Sequence, residues 1–195
     1  MTVRTNKQKK GIFCLDGLLE SNLERTSTVQ PILKLLHDHQ GIPFICKDFA
    51  KWEELEFYLS KWTNRQYLKY PILYISSHGQ ESEIHDGTHR YTLEDLAAVL
   101  GNRCSNRIII VSSCSTLLAD KRKLKTFLRE TNALAICGYR NDVNFLQATA
   151  FELLLMAEFQ DNEFSGRGIE SIQAKANAIA RNFRELEFRM VTVKD

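Results

Sequence analysis

Five short apolar runs, each stopping at small or polar residues, constrain this chain most: GIFCLDG (11–17), PFICKDF (43–49), PILYISS (71–77), RIIIVSS (107–113) and ALAICGY (133–139). Each has the length of a strand buried on both faces, and segments of helical period lie between them. Val29, Ile32, Leu33 and Leu36 mark one such helix, and Trp52, Leu55, Leu59 and Trp62 another. Both are long enough to cross over between parallel strands. The pattern predicts an α/β fold with a mostly parallel central sheet flanked by helices in three layers. With 195 residues the chain can bury a core without disulfide or metal staples, and residues 1–195 are expected to form one domain.

The remaining segments refine this outline. In SEIHDGTHRY (82–91) an Asp86-Gly87 pair between extended flanks predicts a tight two-residue hairpin, which would set His85 opposite Thr88. Thr92, with Asp95 three residues on, predicts the start of a helix over 93–100. Residues 142–160 read as a helix apolar nearly all round, hence buried on more than one side. Ile169, Ile172, Ala176, Ile179, Phe183, Leu186 and Met190 form a stripe at helical steps, expected to pack on the sheet or against a partner helix.

Several function classes are disfavoured. With 26 Lys and Arg against 24 Asp and Glu, the net charge of +2 implies no nucleic-acid or membrane surface. The first residues lack a signal-peptide core, and no stretch reaches the roughly 18 apolar residues of a membrane span. Cys14, Cys46, Cys104, Cys114 and Cys137 are odd in number and contain no CxxC, which argues against a disulfide framework or zinc knuckle and fits a reducing cytoplasm. His37 and His39 point to opposite sides of a helix, and a two-residue turn would put His85 and His89 on opposite faces of the hairpin, so no metal is expected. The nucleophilic chemistry argued below needs no cofactor. Lys121, Arg122, Lys123 and Lys125 form a basic run without interleaved aromatics, which reads as a solvated helix face.

In an open parallel sheet the functional crevice lies beyond the carboxyl ends of the strands. There PILYISS runs into His78-Gly79, and RIIIVSS into Cys114-Ser115-Thr116. If the two strands are neighbours, about 4.8 Å apart, one substrate bond lies within reach of both side chains. A thiol is only partly ionised near neutral pH, so a nearby imidazole that favours the thiolate and protonates the departing amine completes a nucleophilic pair. Gly79 lets a carbonyl approach closely, and its N–H with that of Cys114 would form an oxyanion hole. Ser113 is small enough to leave the attack path open.

Strand–His–Gly, hairpin, helix, then strand–small–Cys–Ser resembles the caspase-like superfamily of cysteine peptidases, and within it the CHAT-type domains. The likeness rests on SHGQ, YTLEDLAAVL, VSSCST and ICGYRNDVNFLQATAFELL, covering roughly residues 70–160. It implies a caspase-like three-layer sandwich and a dyad of His78 and Cys114. It also implies a protein substrate, an activating or regulatory protein partner, and a role in regulated prokaryotic defence or cell death. The caspase signature Q-A-C-[RQG]-G is absent, and Ser112 stands two residues before the thiol, where relatives that prefer Arg or Lys often carry Asp. Asp142 matches an Asp common in CHAT domains and would either line a pocket for a basic residue or cap the following helix. Glu81, Glu83 and Asp86 are further candidates for reading substrate charge, with a solvated loop as their default explanation.

Two other readings stand beside this one. A catalytically silent caspase-like module would bind partners through the 169–190 stripe or the basic helix. A flavodoxin-like or nucleotide-handling domain is disfavoured, because the first apolar run leads into Asp16-Gly17-Leu18-Leu19 with no glycine-rich phosphate cradle.

Overall fold

The computed structural model describes residues 8–19, 24, 27–86 and 89–195. All five apolar runs are strands: β1 (Ile12–Gly17), β2 (Phe44–Phe49), β3 (Ile72–Ser76), β7 (Ile108–Ser112) and β8 (Ala135–Tyr139). With β9 (Phe188–Thr192) they form a six-stranded sheet in the order β2-β1-β3-β7-β8-β9, parallel except for β9. A separate antiparallel sheet contains β4 (His78–Gln80), β5 (Glu83–His85) and β6 (Arg90–Thr92).

Successive strand residues face opposite sides, so each buried run feeds two cores. Phe13, Leu15, Leu73, Ile75, Ile109 and Val111 pack on α2 (Trp52–Trp62), α3 (Leu93–Leu100) and α4 (Lys121–Thr131). Their neighbours Ile12, Cys14, Ile72, Tyr74, Ile108 and Ile110 pack on α1 (Gln30–Gln40), α5 (Phe145–Glu158) and α6 (Gly168–Ala180). The three layers of an α/β sandwich follow directly. β2 departs from the expected double-sided burial: as an edge strand it leaves Lys47 and Asp48 exposed.

Local chemistry fixes the boundaries. Thr92 accepts the Asp95 N–H while Asp95 reaches back to the Thr92 N–H, so α3 opens with the expected capping box. α5 is shorter than expected, because Asn144, not Asp142, accepts the N–H groups of Leu146 and Gln147 and starts the helix at Phe145. The stripe ending at Met190 is no single helix. α6 stops at Ala180, a 3-10 turn spans Arg184–Leu186, and Met190 sits on β9 opposite Cys137. Aromatic and β-branched residues in FRMVT complete the sheet edge, and tertiary pairing there overrides helical spacing.

The expected hairpin exists as β5 and β6, but its register sets His85 opposite Arg90 and Ile84 opposite Tyr91. Its connection is therefore four residues long rather than two. Gly87 and Thr88, in that connection, lie outside the described residues.

Candidate active site

β3 and β7 are neighbours, and their ladder sets Ser76 directly opposite Ser112. The ladder extends one step further, since the Ser77 N–H donates to the Ser112 carbonyl at 3.1 Å. His78 and Cys114 each lie two residues past this Ser76–Ser112 pair, at the carboxyl edge of the sheet. His78 does not end β3: it opens β4, and the chain turns there into the small antiparallel sheet.

A cleft of about 210 Å³ opens at this edge. Ser76, Ser77 and His78 line it on one side, Ser112, Ser113 and Cys114 on another, and Leu19, Val143, Phe145 and Ala148 give it apolar walls. His78 is exposed and Cys114 half-buried, so both are open to an incoming chain.

The histidine is oriented by residues that sequence reasoning missed. Its Nε2 lies 2.6 Å from the carbonyl oxygen of Leu19. A carbonyl only accepts, so Nε2 carries the hydrogen and Nδ1 is left as the nitrogen that exchanges a proton in the neutral ring. The ring also stacks on His85, its cross-strand partner, with centroids 5.4 Å apart and planes inclined by 13°. Burial first, then the neighbouring His78, lowers the His85 value below the ordinary imidazole range. No periodicity in the sequence points to a backbone carbonyl at Leu19 or to this stacking.

Gly79 and the cysteine turn interlock. A Cβ at Gly79 would fall 2.3 Å from Thr116 Oγ1 and 2.7 Å from Ser113 Cβ, so only glycine permits the approach. Ser113 Oγ and Thr116 Oγ1 share a 2.6 Å hydrogen bond, and Thr116 Oγ1 also donates to the Glu83 carbonyl at 2.9 Å. The Ser82 N–H donates to the Thr116 carbonyl. Ser115 adopts a left-handed conformation with φ of 54°, which turns the chain sharply after Cys114. Among the described residues, the Cys114 N–H meets no hydrogen-bond acceptor.

Asp142 is not among the residues lining this cleft, though its neighbour Val143 is. It is exposed, and its Oδ1 accepts the Ser115 hydroxyl at 2.9 Å, steadying the left-handed residue. Two other acids considered as charge readers are engaged elsewhere. Glu83 pairs with Arg90 at 3.2 Å, and Asp86 accepts from the His89 N–H and the Tyr91 hydroxyl. Glu81 is exposed.

Beneath the cleft lies Glu152, set between apolar residues of α5 and 1% exposed. Tyr74 and Tyr139 donate to it, and Ser112 also favours its charged form. Burial outweighs these bonds and raises its carboxyl above the usual range. The basic run on α4 is partly committed: Lys121 pairs with the Asp195 carboxylate at 3.2 Å, and Lys125 donates to the Asp195 carbonyl.

Residues 9–191 match the family of unknown function DUF6642. The chain belongs to DUF6642. No curated protein matches this DUF6642 chain by sequence. Among solved structures, caspase-1 from Spodoptera frugiperda is similar, with 10% identity and a TM-score of 0.57 over 96% of this chain and 88% of that one. At that identity the likeness shows a shared fold, so this DUF6642 chain has a caspase-like fold. Among its described residues, no helix is long and apolar enough to cross a membrane.

Proposed function

We propose that this chain is a cysteine endopeptidase of the caspase-like type, acting through His78 and Cys114. The observation that carries the reading is the Ser76–Ser112 register, which sets the ends of two adjacent strands, and just beyond them His78 and Cys114, at one cleft. The Cys114 thiolate attacks a peptide carbonyl, and the Gly79 and Cys114 N–H groups hold the oxyanion. His78 gives a proton to the departing amine, leaving a thioester. Water, losing its proton to His78, then hydrolyses the thioester and frees the thiol. Ser112 lines the substrate cleft, and Asp142 acts on it through the Ser115 turn. The chemistry requires no cofactor.

The CHAT-type likeness adds a finer expectation: regulated cleavage of a specific protein, with an activating partner, in prokaryotic defence or cell death. The five free cysteines suit a reducing, cytoplasmic setting. A second reading is a catalytically silent interaction module. It draws on the apolar side chains exposed near the cleft mouth, Phe145 at 40% and Leu146 at 76%.

Acyloxymethyl-ketone peptides with Arg, Lys, Asp or Leu next to the reactive group separate the two. Labelling at Cys114 that is lost in His78→Ala is the expected result. No labelling of the wild-type chain by any reagent, with candidate protein partners added, leaves the silent module.

A further inference from the structure

A second cluster of reactive side chains lies two strands away from the nucleophile's strand. Asp16 is the penultimate residue of β1, and the parallel register sets Asp48 of β2 directly opposite it. Cys46 precedes Asp48 by two residues, so alternation along β2 puts its thiol on the same face. Asp16, Cys46 and Asp48 bring one ligand atom each within 4.8 Å of one another.

One atom in this cluster is left wanting. Asp16 is 4% exposed, and its Oδ2 accepts from the Thr28 hydroxyl at 2.6 Å and the Val29 N–H at 3.1 Å. Its Oδ1 is buried and accepts no well-formed hydrogen bond among the described residues, although the Ser76 hydroxyl opposite it on β3 is near enough to favour the charged carboxylate. Nor does any Lys or Arg of the described residues pair with Asp16 or Asp48. Two carboxylates side by side, one with a buried oxygen that accepts no well-formed hydrogen bond, are an arrangement that a cation relieves. Cys46 is half-buried and in no disulfide, and its thiol lies beside that of Cys14, its partner across the strands, which an ion would compete with for the sulfur.

The donor set selects the ion. Calcium and magnesium take oxygen ligands only, whereas a thiolate beside two carboxylates suits a borderline-soft ion of the zinc class. Zinc–sulfur and zinc–oxygen bonds of about 2.3 and 2.1 Å in a tetrahedron set neighbouring ligand atoms about 3.6 Å apart, so the cluster closes by about an ångström or less.

We propose that Asp16 Oδ1, the Cys46 thiolate and an Asp48 carboxylate oxygen bind one divalent ion of the zinc class, with water as the fourth ligand. Binding releases the Cys46 proton to solvent and leaves no ligand oxidised. The ion staples the edge strand β2 to β1. It also anchors the end of β1 three residues before Leu19, whose carbonyl holds His78.

Cobalt(II) titration of the full chain tests this, because thiolate ligation gives a charge-transfer band that oxygen ligation lacks. The wild type is expected to bind one equivalent with that band, which zinc then bleaches. Cys46→Ala loses the band. Asp48→Asn, at an exposed position that leaves the fold intact, weakens binding about tenfold or more. Cys114→Ala leaves both unchanged. No band in the wild type, a band that survives Cys46→Ala, or one lost in Cys114→Ala overturns the proposal, the last by moving the metal to the nucleophile.

Discussion

The Tyr139 hydroxyl donates to Glu152 Oε1 at 2.7 Å, tying the end of β8 to a buried acid on α5. Tyr74 donates to the other oxygen, so the carboxyl spans two strands directly beneath the cleft. Because burial raises the Glu152 value, the folded chain holds that proton more tightly than the unfolded chain. The resulting stability is fully present below the unfolded value, about 4.3, and is lost as pH rises through the folded value. Relative to Glu152→Gln, the wild type should therefore lose denaturation midpoint as pH rises from about 4 towards 7. Midpoints from urea titrations at several pH values check this, and parallel curves for the two proteins would contradict it.

Gly79→Ala should damage the site without touching a reacting group. Its new Cβ meets Thr116 Oγ1 and Ser113 Cβ, both buried and mutually bonded, so neither can yield cheaply. Overpacking of this kind costs about 1–3 kcal/mol. Electrophile labelling at Cys114 should fall about tenfold or more while the fold remains. Wild-type labelling in a stable Gly79→Ala chain would show that the interlock is dispensable.

The five thiols should separate by reactivity. Cys14, Cys104 and Cys137 are fully buried. Burial pushes Cys104 up to about 12 and Cys137 higher still. Cys46 and Cys114 are half-buried. Brief iodoacetamide treatment near neutral pH, read by peptide mass spectrometry, should modify only Cys46 and Cys114, the other three reacting after denaturant is added. Early labelling at Cys137 would refute this ordering.

Asp142→Ala removes one exposed hydrogen bond to Ser115, costing about 0.5–1.5 kcal/mol. Since Asp142 does not line the cleft, labelling by Arg, Lys, Asp and Leu reagents should drop by a common factor. A loss confined to Arg and Lys would instead make Asp142 a reader of substrate charge.

Much of this architecture was legible because buried strands write themselves as apolar runs. PILYISS and RIIIVSS gave their positions to within a residue, and the adjacency of β3 and β7 was the condition on which the pairing of His78 with Cys114 depended. What escaped was decided by contacts between distant segments. Met190 has helical spacing from Ile169 but pairs with Cys137 in a strand, because an open sheet edge was there to take it. Asp142 and Asn144 are both good caps, and only the backbone path chooses between them. Leu19 enters through a carbonyl, which side-chain patterns do not encode. Asp16 and Glu152 did carry a signal, as single acids inside apolar stretches.

The Ser76–Ser112 register has a consequence for how the protein is made. These strands are joined by no turn; a hairpin and a helix intervene, and parallel neighbours form only through long-range closure of the chain. A ribosome-bound chain carrying His78 has no Cys114 beside it until β7 has emerged and docked. On the proposed peptidase reading, the capacity to cut arrives only with that long-range docking, and a chain still short of β7 has none.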